Sequence, residues 1–513
     1  MNKTLQLADI IGPIMVGPSS SHTAGALKIA LMTRRLCKHD PVHVEFKLYG
    51  SFSRTYKGHG TDRALCAGIL GWEPDDLRIR TSLDYAKEHG LEVVFTPLPN
   101  EPYDHPNTVD VYITDTEGET LSTRGVSIGG GMAMLRRIDG IDVSITGEHT
   151  SLVVCQHDVE GVLASIAGIL SRNHINIATT RMFRERRGEK AFTVMEIDSD
   201  VPDRVVEEIH EQPNIIQVRV IPSESCYQKK HHVPQNAAED ETPVNVPDVS
   251  EVDAIDFMNA KQMLSYCEAH SCTIAQAFRR REEILCAQLG RHAHIDTYLD
   301  RVLSVMRSSV DASLNKDVST MGGLIGSESK DVMEYHRTHA QDDPCDDQLT
   351  RLTSYALAVL ETNASMGRIV ACPTAGSAGV LPAVLLSLQD EKGYSPAQMR
   401  EALLCAAAIG YLVSRNATVA GAEGGCQAEI GTASAMAAAA VVQLAGGSPK
   451  QCFNAASNAL TNLMGLVCDP VAGLVEVPCQ KRNATAAVSA MSSAQIALSG
   501  VENLVDFDET VQA

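Results

Sequence analysis

The segments GAEGGCQAEIG (421–431) and CDPVAGLVEVPC (468–479) lie within an otherwise helical region and carry three cysteines, Cys426, Cys468 and Cys479, separated by 42 and 11 positions. Structural zinc sites bring their ligands in as close Cys-x-x-Cys pairs, so this spacing fits no zinc pattern, and it does not match the closely spaced ferredoxin run. Three widely spread thiolates suit a different role. They can hold three irons of a four-iron, four-sulfur cluster while the fourth stays open to a substrate oxygen, a Lewis-acid site rather than an electron relay. The competing reading is that these are small core hydrophobes, since free cysteine is among the most buried residue types.

The surroundings favour accessible sulfur. Gly424 and Gly425, beside Cys426, let the backbone approach a bulky inorganic group, while Pro470 and Pro478 stiffen the second loop and remove backbone donors. Cys405 in EALLCAAAIGYLV and Cys452 in KQCFNAASNAL sit in apolar helical patterns and read as core.

Around these loops, residues 251–513 read as an all-helical domain, with apolar periodicity in AIDFMNAKQMLSYCEAH (254–270), DQLTRLTSYALAVLETN (347–363), PAQMREALLCAAAIGYLV (396–413) and ATAAVSAMSSAQIALSG (484–500). Two further loops interrupt it. MGGLIGSESK covers 321–330, and CPTAGSAGVLP (372–382) sets Thr374 and Ser377 among glycines ahead of an apolar helix, a ready anion site.

Upstream, residues 223–250 have few apolar side chains, several prolines and clustered charge, and read as a flexible linker whose His231–His232 pair is solvated rather than metal-binding. Residues 147–222 predict a self-contained unit. The segments TSLVVCQ, DVEGVLASIAGILSRN, INIATTRMFR, KAFTVMEID, PDRVVEEIH and IIQVRV give strand, helix, strand, strand, helix, strand. This βαββαβ order, ferredoxin-like in type, resembles the ACT domain, an amino-acid-sensing module. Asp158–Gly161 stands where that family has Asp-x-Pro-Gly, without the proline. The resemblance implies an amino-acid effector and, because such modules pair, a homodimer.

Residues 1–146 read as an α/β domain, with strand alternation in VHVEFKLYGSFS (42–53) and a helical stripe in TAGALKIALMTRRLC (23–37). PSSSHT (18–23) is a dense helix-cap signal able to hold a carboxylate: one serine would satisfy a cap, and three serines followed by His22 exceed that need. His59 in KGHGTDRA and His105 in HPNT are further histidines, a residue type that is more often structural than catalytic. Gly129–Gly131 in SIGGGM invites a phosphate cradle and with it pyridoxal phosphate. Such an enzyme needs a Schiff-base lysine in suitable context, and no Ser-x-Lys segment stands out, so no pyridoxal phosphate is expected and a tight strand-to-helix turn is the reading.

At 513 residues the chain needs two to four domains, which makes the whole a multidomain α+β protein. A net charge of −21 and a pI near 5.2 argue against nucleic-acid or anionic-membrane partners. No apolar run reaches the length of a membrane span, and MNKTLQLADIIGPIMVGPSSSHT lacks the pattern of a signal peptide. Cysteines scattered singly over a large chain predict a reducing compartment, hence the cytoplasm.

Taken together, PSSSHT, YGSFSRTYKGHGTDRA (49–64), HPNT, SIGGG, NASMGRIVACPTAGSAGVLPA (363–383), GAEGGCQAEIG and GLVCDPVAGLVEVPCQKRN (465–483) resemble the iron-sulfur L-serine dehydratases of bacterial type. The resemblance implies that residues 1–146 are the family's β domain and 251–513 its α domain, fused here through the ACT-like unit. It implies Cys426, Cys468 and Cys479 as ligands of a 4Fe-4S cluster. Some members end in a cysteine that reaches the free iron; this chain ends VDFDETVQA, so that device is expected to be absent.

The implied reaction takes L-serine to pyruvate and ammonia: the hydroxyl leaves at iron, a base removes the α-proton, and the resulting imine hydrolyses. His22 is the first expectation for the base, kept neutral by a helix N-terminus, with His59 and His105 as alternatives. Ser20, Ser21, Thr23, Asn107, Thr374, Ser377 and Lys330 are expected substrate contacts. Competing readings are a cluster-dependent lyase for threonine or cysteine, a non-catalytic amino-acid sensor, and a pyridoxal enzyme.

Overall fold

The computed structural model describes residues 5–147, 149–184, 186–223, 249–288, 292–339 and 342–513. Nearly all of the expected 223–250 linker, with His231 and His232, lies outside the described residues. None of the helices among the described residues is long and apolar enough to cross a membrane.

The N-terminal region builds a six-stranded sheet in the order Glu92–Leu98, Pro41–Tyr49, Thr108–Asp115, Thr120–Gly129, Met132–Ile138, Ile141–Ile145. The first pair is parallel and the others antiparallel. Along Pro41–Tyr49 the side chains of Val44, Phe46 and Leu48 alternate into the core, the period of two that a one-sided strand requires. Helix Gly25–Leu36 packs on this sheet so closely that a Cβ at Gly125 would lie 2.2 Å from an Ile29 methyl. The Gly129–Gly131 run is a turn between two strands, not the expected strand-to-helix turn: its three φ angles of 95°, 58° and 76° reverse the chain into a hairpin.

The middle unit has the expected order, its sheet running Ile215–Ile221, Thr150–His157, Lys190–Ile197, Ile177–Arg184, antiparallel throughout. Leu152, Val154 and Met195 pack against helices Val162–Arg172 and Asp203–His210. Much of the opposite face is covered too. Val153, Cys155, Phe192, Val194 and Ile221 join the hydrophobic core of the N-terminal domain, so the unit is not self-contained. The cause is visible in Thr150–Gln156, every residue of which is buried, as in a strand covered on both sides.

The C-terminal region is helical. Helix Thr432–Leu444, rich in alanine, runs buried among helices Pro396–Asn416, Pro449–Thr461, Cys479–Leu498 and Val380–Lys392, the small side chains allowing close approach. The start of the chain belongs to this core as well: Leu7, Ile10, Ile11 and Met15 are buried in it, and strand Ile14–Val16 pairs antiparallel with Arg368–Val370. Glu282, inside the helical region, accepts a hydrogen bond from the Leu7 amide at 2.8 Å. The chain therefore anchors in the helical domain first and then crosses to build the sheet, which places the PSSSHT turn at the seam between the two.

Candidate active site

The loop carrying Cys426 folds directly against the one carrying Cys468. Gly425 has φ of 77°, and a Cβ there would lie 2.7 Å from the Leu466 carbonyl oxygen. The Gln427 amide donates to that same oxygen at 2.9 Å, and the Gly465 amide donates to the Gln427 side chain at 2.7 Å. Arg482 completes the stitching by donating to the Cys426 sulfur at 3.2 Å, to the Val467 carbonyl and to Asp469. Cys479 opens helix Cys479–Leu498. One turn further on, Asn483 donates to the Cys479 and Gly376 carbonyls and accepts from the Gly379 amide. The 372–379 loop is thus pinned beside the cysteines.

The three thiols meet. Cys426 and Cys468 are hydrogen-bonded, and Cys479 lies within electrostatic reach of both. Burial, then the nearby Glu429 carboxylate, pushes the Cys426 thiol up to about 11 and that of Cys479 up to about 12, and raises Cys468 by the same causes. Left alone they stay protonated at neutral pH, and only a strongly cationic centre would ionise all three. Among the described residues no three His, Cys, Asp or Glu side chains close around a single metal ion. A cluster does not ask for that, because each of its irons takes its own thiolate. A cavity of about 350 Å³ lined by Gly421, Gly424, Gly425, Gln427, Gly465, Leu466, Val467 and Cys468 opens on the Cys468 side of the group, so the backbone around that thiol is free of bulky side chains. The donor set and its surroundings fit a cluster with three protein ligands.

One residue of this centre escaped the sequence reading. Glu429 lies in the π-helical turn Gln427–Gly431 that follows Cys426, and its charge is the first to act on each of the three thiols after burial itself. Thr374 Oγ1 donates to Glu429 Oε1 at 3.3 Å. Gly376 and Gly421 wall the carboxylate in: a Cβ at either would lie 2.2 Å or 2.0 Å from its oxygens. Burial raises its pKa to about 7, against the opposing Thr374 and Gly421 hydrogen bonds. The available signal was an acid three positions beyond a cysteine in a run of small residues, a pattern equally typical of a solvated helix start.

From the other domain, Ser20–Ala24 forms a π-helical turn leading into helix Gly25–Leu36, capped by Ser19, which accepts from the His22 amide. His22 Nε2 is 2.8 Å from Ser51 Oγ and Nδ1 is 3.0 Å from Ser21 Oγ. Its ring stacks at a tilt on His59, 4.6 Å between centroids. Burial first, and the neighbouring His59 second, lower the His22 pKa to about 3, which leaves the ring neutral at neutral pH. Burial likewise lowers His59 to about 4. His59 is 7% exposed, and its Nδ1 makes no hydrogen bond within 3.5 Å, the Thr55 carbonyl being near enough only to oppose the fall in its pKa. The loop bearing it rests on the cysteine loop: a Cβ at Gly58 would lie 2.6 Å from the Leu474 side chain.

The two halves are joined through Ser20, whose Oγ accepts from the Ala375 amide at 2.9 Å. A path therefore runs from the Ser20–Ala24 turn that bears His22, across the Ser20–Ala375 bond, to Thr374 and Glu429. Ser21 and Thr374 stand at this seam. Ser20, Thr23 and Ser377 are committed to structure instead: Thr23 donates to the His59 carbonyl at 2.8 Å and Ser377 to the Cys372 carbonyl at 2.9 Å. His105 accepts from the Asn107 amide, its pKa lowered by burial and by Arg136, while the charge of Glu423 reaches it from the cysteine-loop side. Lys330 is not brought to the site. It pairs with Asp317 at 2.9 Å, because helix Glu328–Thr338 turns that side chain outward while Glu476 holds the preceding loop through Gly322, Leu324 and Thr320.

Comparison with known proteins places three families along the chain. Residues 8–137 match the family described as Serine dehydratase beta chain, 150–214 the ACT domain, and 249–513 Serine dehydratase alpha chain. The probable L-serine dehydratase beta chain of Bacillus subtilis is 39% identical over 213 residues, 42% of this chain and 96% of that one. The L-serine dehydratase alpha chain of Peptoniphilus asaccharolyticus is 44% identical over 215 residues, 42% of this chain and 73% of that one. L-serine dehydratase TdcG of Escherichia coli is 28% identical over 511 residues, covering 94% of this chain and 88% of its own.

Proposed function

The chain belongs to the serine dehydratase family, and from that premise we propose that it is an L-serine ammonia-lyase producing pyruvate and ammonia with the aid of a 4Fe-4S cluster on Cys426, Cys468 and Cys479. The observation that carries this reading is the bond between Ser20 and the Ala375 amide, which joins the turn bearing His22 to the loop that Asn483 pins beside the three clustered thiols. When bound, the cluster supplies a Lewis-acidic iron that eases departure of a hydroxyl.

The protein's own groups do the rest. His59 is the proton acceptor for the substrate α-hydrogen: it is neutral, and its buried Nδ1 makes no hydrogen bond within 3.5 Å, only a weak approach of the ring to the Thr55 carbonyl opposing the fall in its pKa. His22, held at both nitrogens by Ser51 and Ser21, keeps the His59 ring in place and closes that side of the cleft. The hydroxyls of Ser21 and Thr374, with Asn107, receive the substrate carboxylate. Packing of the two domains through Ser20 excludes water from the reacting carbon until the imine is released to hydrolyse.

The same reading makes the protein a cytoplasmic homodimer with an amino-acid effector at the ACT unit. Support comes from the free thiols of all described cysteines and from the edge strand Ile177–Arg184, with Met182 exposed.

Anaerobic iron and sulfide analysis together with pyruvate release from serine, threonine and cysteine tests the proposal. Four irons per chain with serine preferred is the expected result. Iron-free protein that binds amino acids without turnover would leave a sensor, and faster turnover of threonine or cysteine would reassign the substrate.

A further inference from the structure

We propose that Glu429 is the residue that holds the α-ammonium of the amino-acid substrate, an inference that rests on the lyase reading above. An amino acid reaches the site as a zwitterion, and burying its ammonium without an opposite charge is strongly unfavourable. The groups that line the seam cannot supply that charge: His22 and His59 are neutral, and Ser21 and Thr374 are hydroxyls.

The other carboxylates of the neighbourhood are occupied elsewhere. Glu476 is consumed by the Gly322 and Leu324 amides and the Thr320 hydroxyl. Asp469 is exposed and paired with Arg482, and Glu423 accepts from Thr418 on the exposed side of its loop. Glu429 differs from all three. A carboxylate has about four acceptor positions, and the protein fills two of those on Glu429, through the Thr374 hydroxyl and the Gly421 amide. The residue as a whole is half-buried while its carboxylate is walled by Gly376 and Gly421, so the acceptor positions that the protein leaves unfilled sit in a desolvated place where an ammonium would be the matching partner.

Its position is also closely bounded by backbone. Gly376 and Gly421 press backbone against the carboxylate, leaving no space for even a methyl group on either side. The same Thr374 that touches Glu429 adjoins Ala375, which is bonded to the turn bearing His22. An ammonium on Glu429 is therefore held at a set place relative to the histidines that act on the adjacent α-carbon and relative to the thiols beyond.

The test compares Glu429→Gln with wild type in the anaerobically reconstituted enzyme, using calorimetric binding of two probes, L-alanine, which keeps the ammonium, and propionate, which lacks it. Glu429→Gln should weaken L-alanine roughly 100-fold and leave propionate within about twofold, with the KM for serine rising in step and kcat falling less than about tenfold. Glu429→Asp, which keeps the charge, should recover part of the alanine affinity, whereas a purely structural role would put it with the glutamine variant. Equal weakening of both probes, or a collapse of kcat with alanine binding unchanged, would overturn the assignment, the latter making Glu429 a proton donor instead. Absence of serine turnover in wild type would sink the lyase reading alone, since the alanine and propionate comparison does not depend on it.

Discussion

Ser20 Oγ and the Ala375 amide lie 2.9 Å apart although 355 positions separate them in the chain. This bond ties the turn that orients His22 to the loop that presents Thr374, and both partners are buried. Ser20→Ala leaves the Ala375 N–H without a partner, at a cost of about 1–3 kcal/mol. Loosening the seam should also reduce serine turnover by about tenfold or more. Denaturant melts and steady-state rates on the same preparation check both, and an active, unaltered Ser20→Ala enzyme would show that the seam tolerates movement.

The cysteines divide into two classes. Cys468→Ala should lose iron and turnover while far-ultraviolet circular dichroism stays near wild type, because Cys468 is exposed on a loop. Cys405→Ala and Cys452→Ala, in fully buried helical positions, should retain iron and cost roughly 1 kcal/mol of stability as small cavities form. Iron retained in Cys468→Ala would remove it from the ligand set.

Asn483 is the pin between Cys479 and the 372–379 loop. Asn483→Ala strands the Gly376 carbonyl and the Gly379 amide in the interior and should destabilise by about 3 kcal/mol. Asn483→Asp should be worse, since it keeps the acceptor for Gly379 but sets a carboxylate against two carbonyl oxygens. Thermal melts that rank the aspartate variant above alanine would contradict this geometry.

Acid acts on the fold through the paired histidines. Both have folded pKa values, about 3 for His22 and about 4 for His59, below the ordinary 6.5. From pH 6.5 down to about 4 the unfolded chain takes up protons that the folded chain refuses, so these groups lower stability as pH falls. Glu361 and Glu429, both raised to about 7, act oppositely: protonated when folded and ionised when unfolded, they favour folding as pH falls from 7 to 4.5. His59→Asn removes one histidine contribution. Wild type should therefore lose about 1 kcal/mol relative to that variant between pH 6 and pH 5. Parallel stability curves would mean that His59 titrates normally.

Removal of residues 147–222 should not leave an intact catalytic body. The cut exposes the apolar surface of the N-terminal domain that Val153, Cys155, Phe192, Val194 and Ile221 cover. The truncated chain is expected to aggregate or melt at lower temperature, whereas Val153→Asp alone should reproduce much of that loss. A soluble, fully stable deletion would show that the two cores are separable.

Much of the architecture was legible in local pattern. The period of two in VHVEFKL and the helical stripe of ALKIALMTRRL depend only on residues a few positions apart, and they became strand Pro41–Tyr49 and helix Gly25–Leu36. The burial of Cys405 and Cys452 followed from the same logic. The ACT-like order was readable, but its second partner was not: a run such as TSLVVCQ announces cover on both faces without saying what supplies it. Lys330 was misplaced for a related reason, since a position next to a glycine-rich loop does not say which way the following helix turns its side chain.

By itself the sequence determined many of the helices and strands, the order of the βαββαβ unit, and that three thiols of unusual setting exist, because each of these is written in neighbours along the chain. Tertiary structure alone decided that those thiols cluster, that His22 and His59 are neutral through burial, that Glu429 lies beside the thiols and that Ser20 is spent on the domain seam. Such properties come from desolvation and from charges contributed by residues hundreds of positions away, and a linear pattern holds no record of those distances.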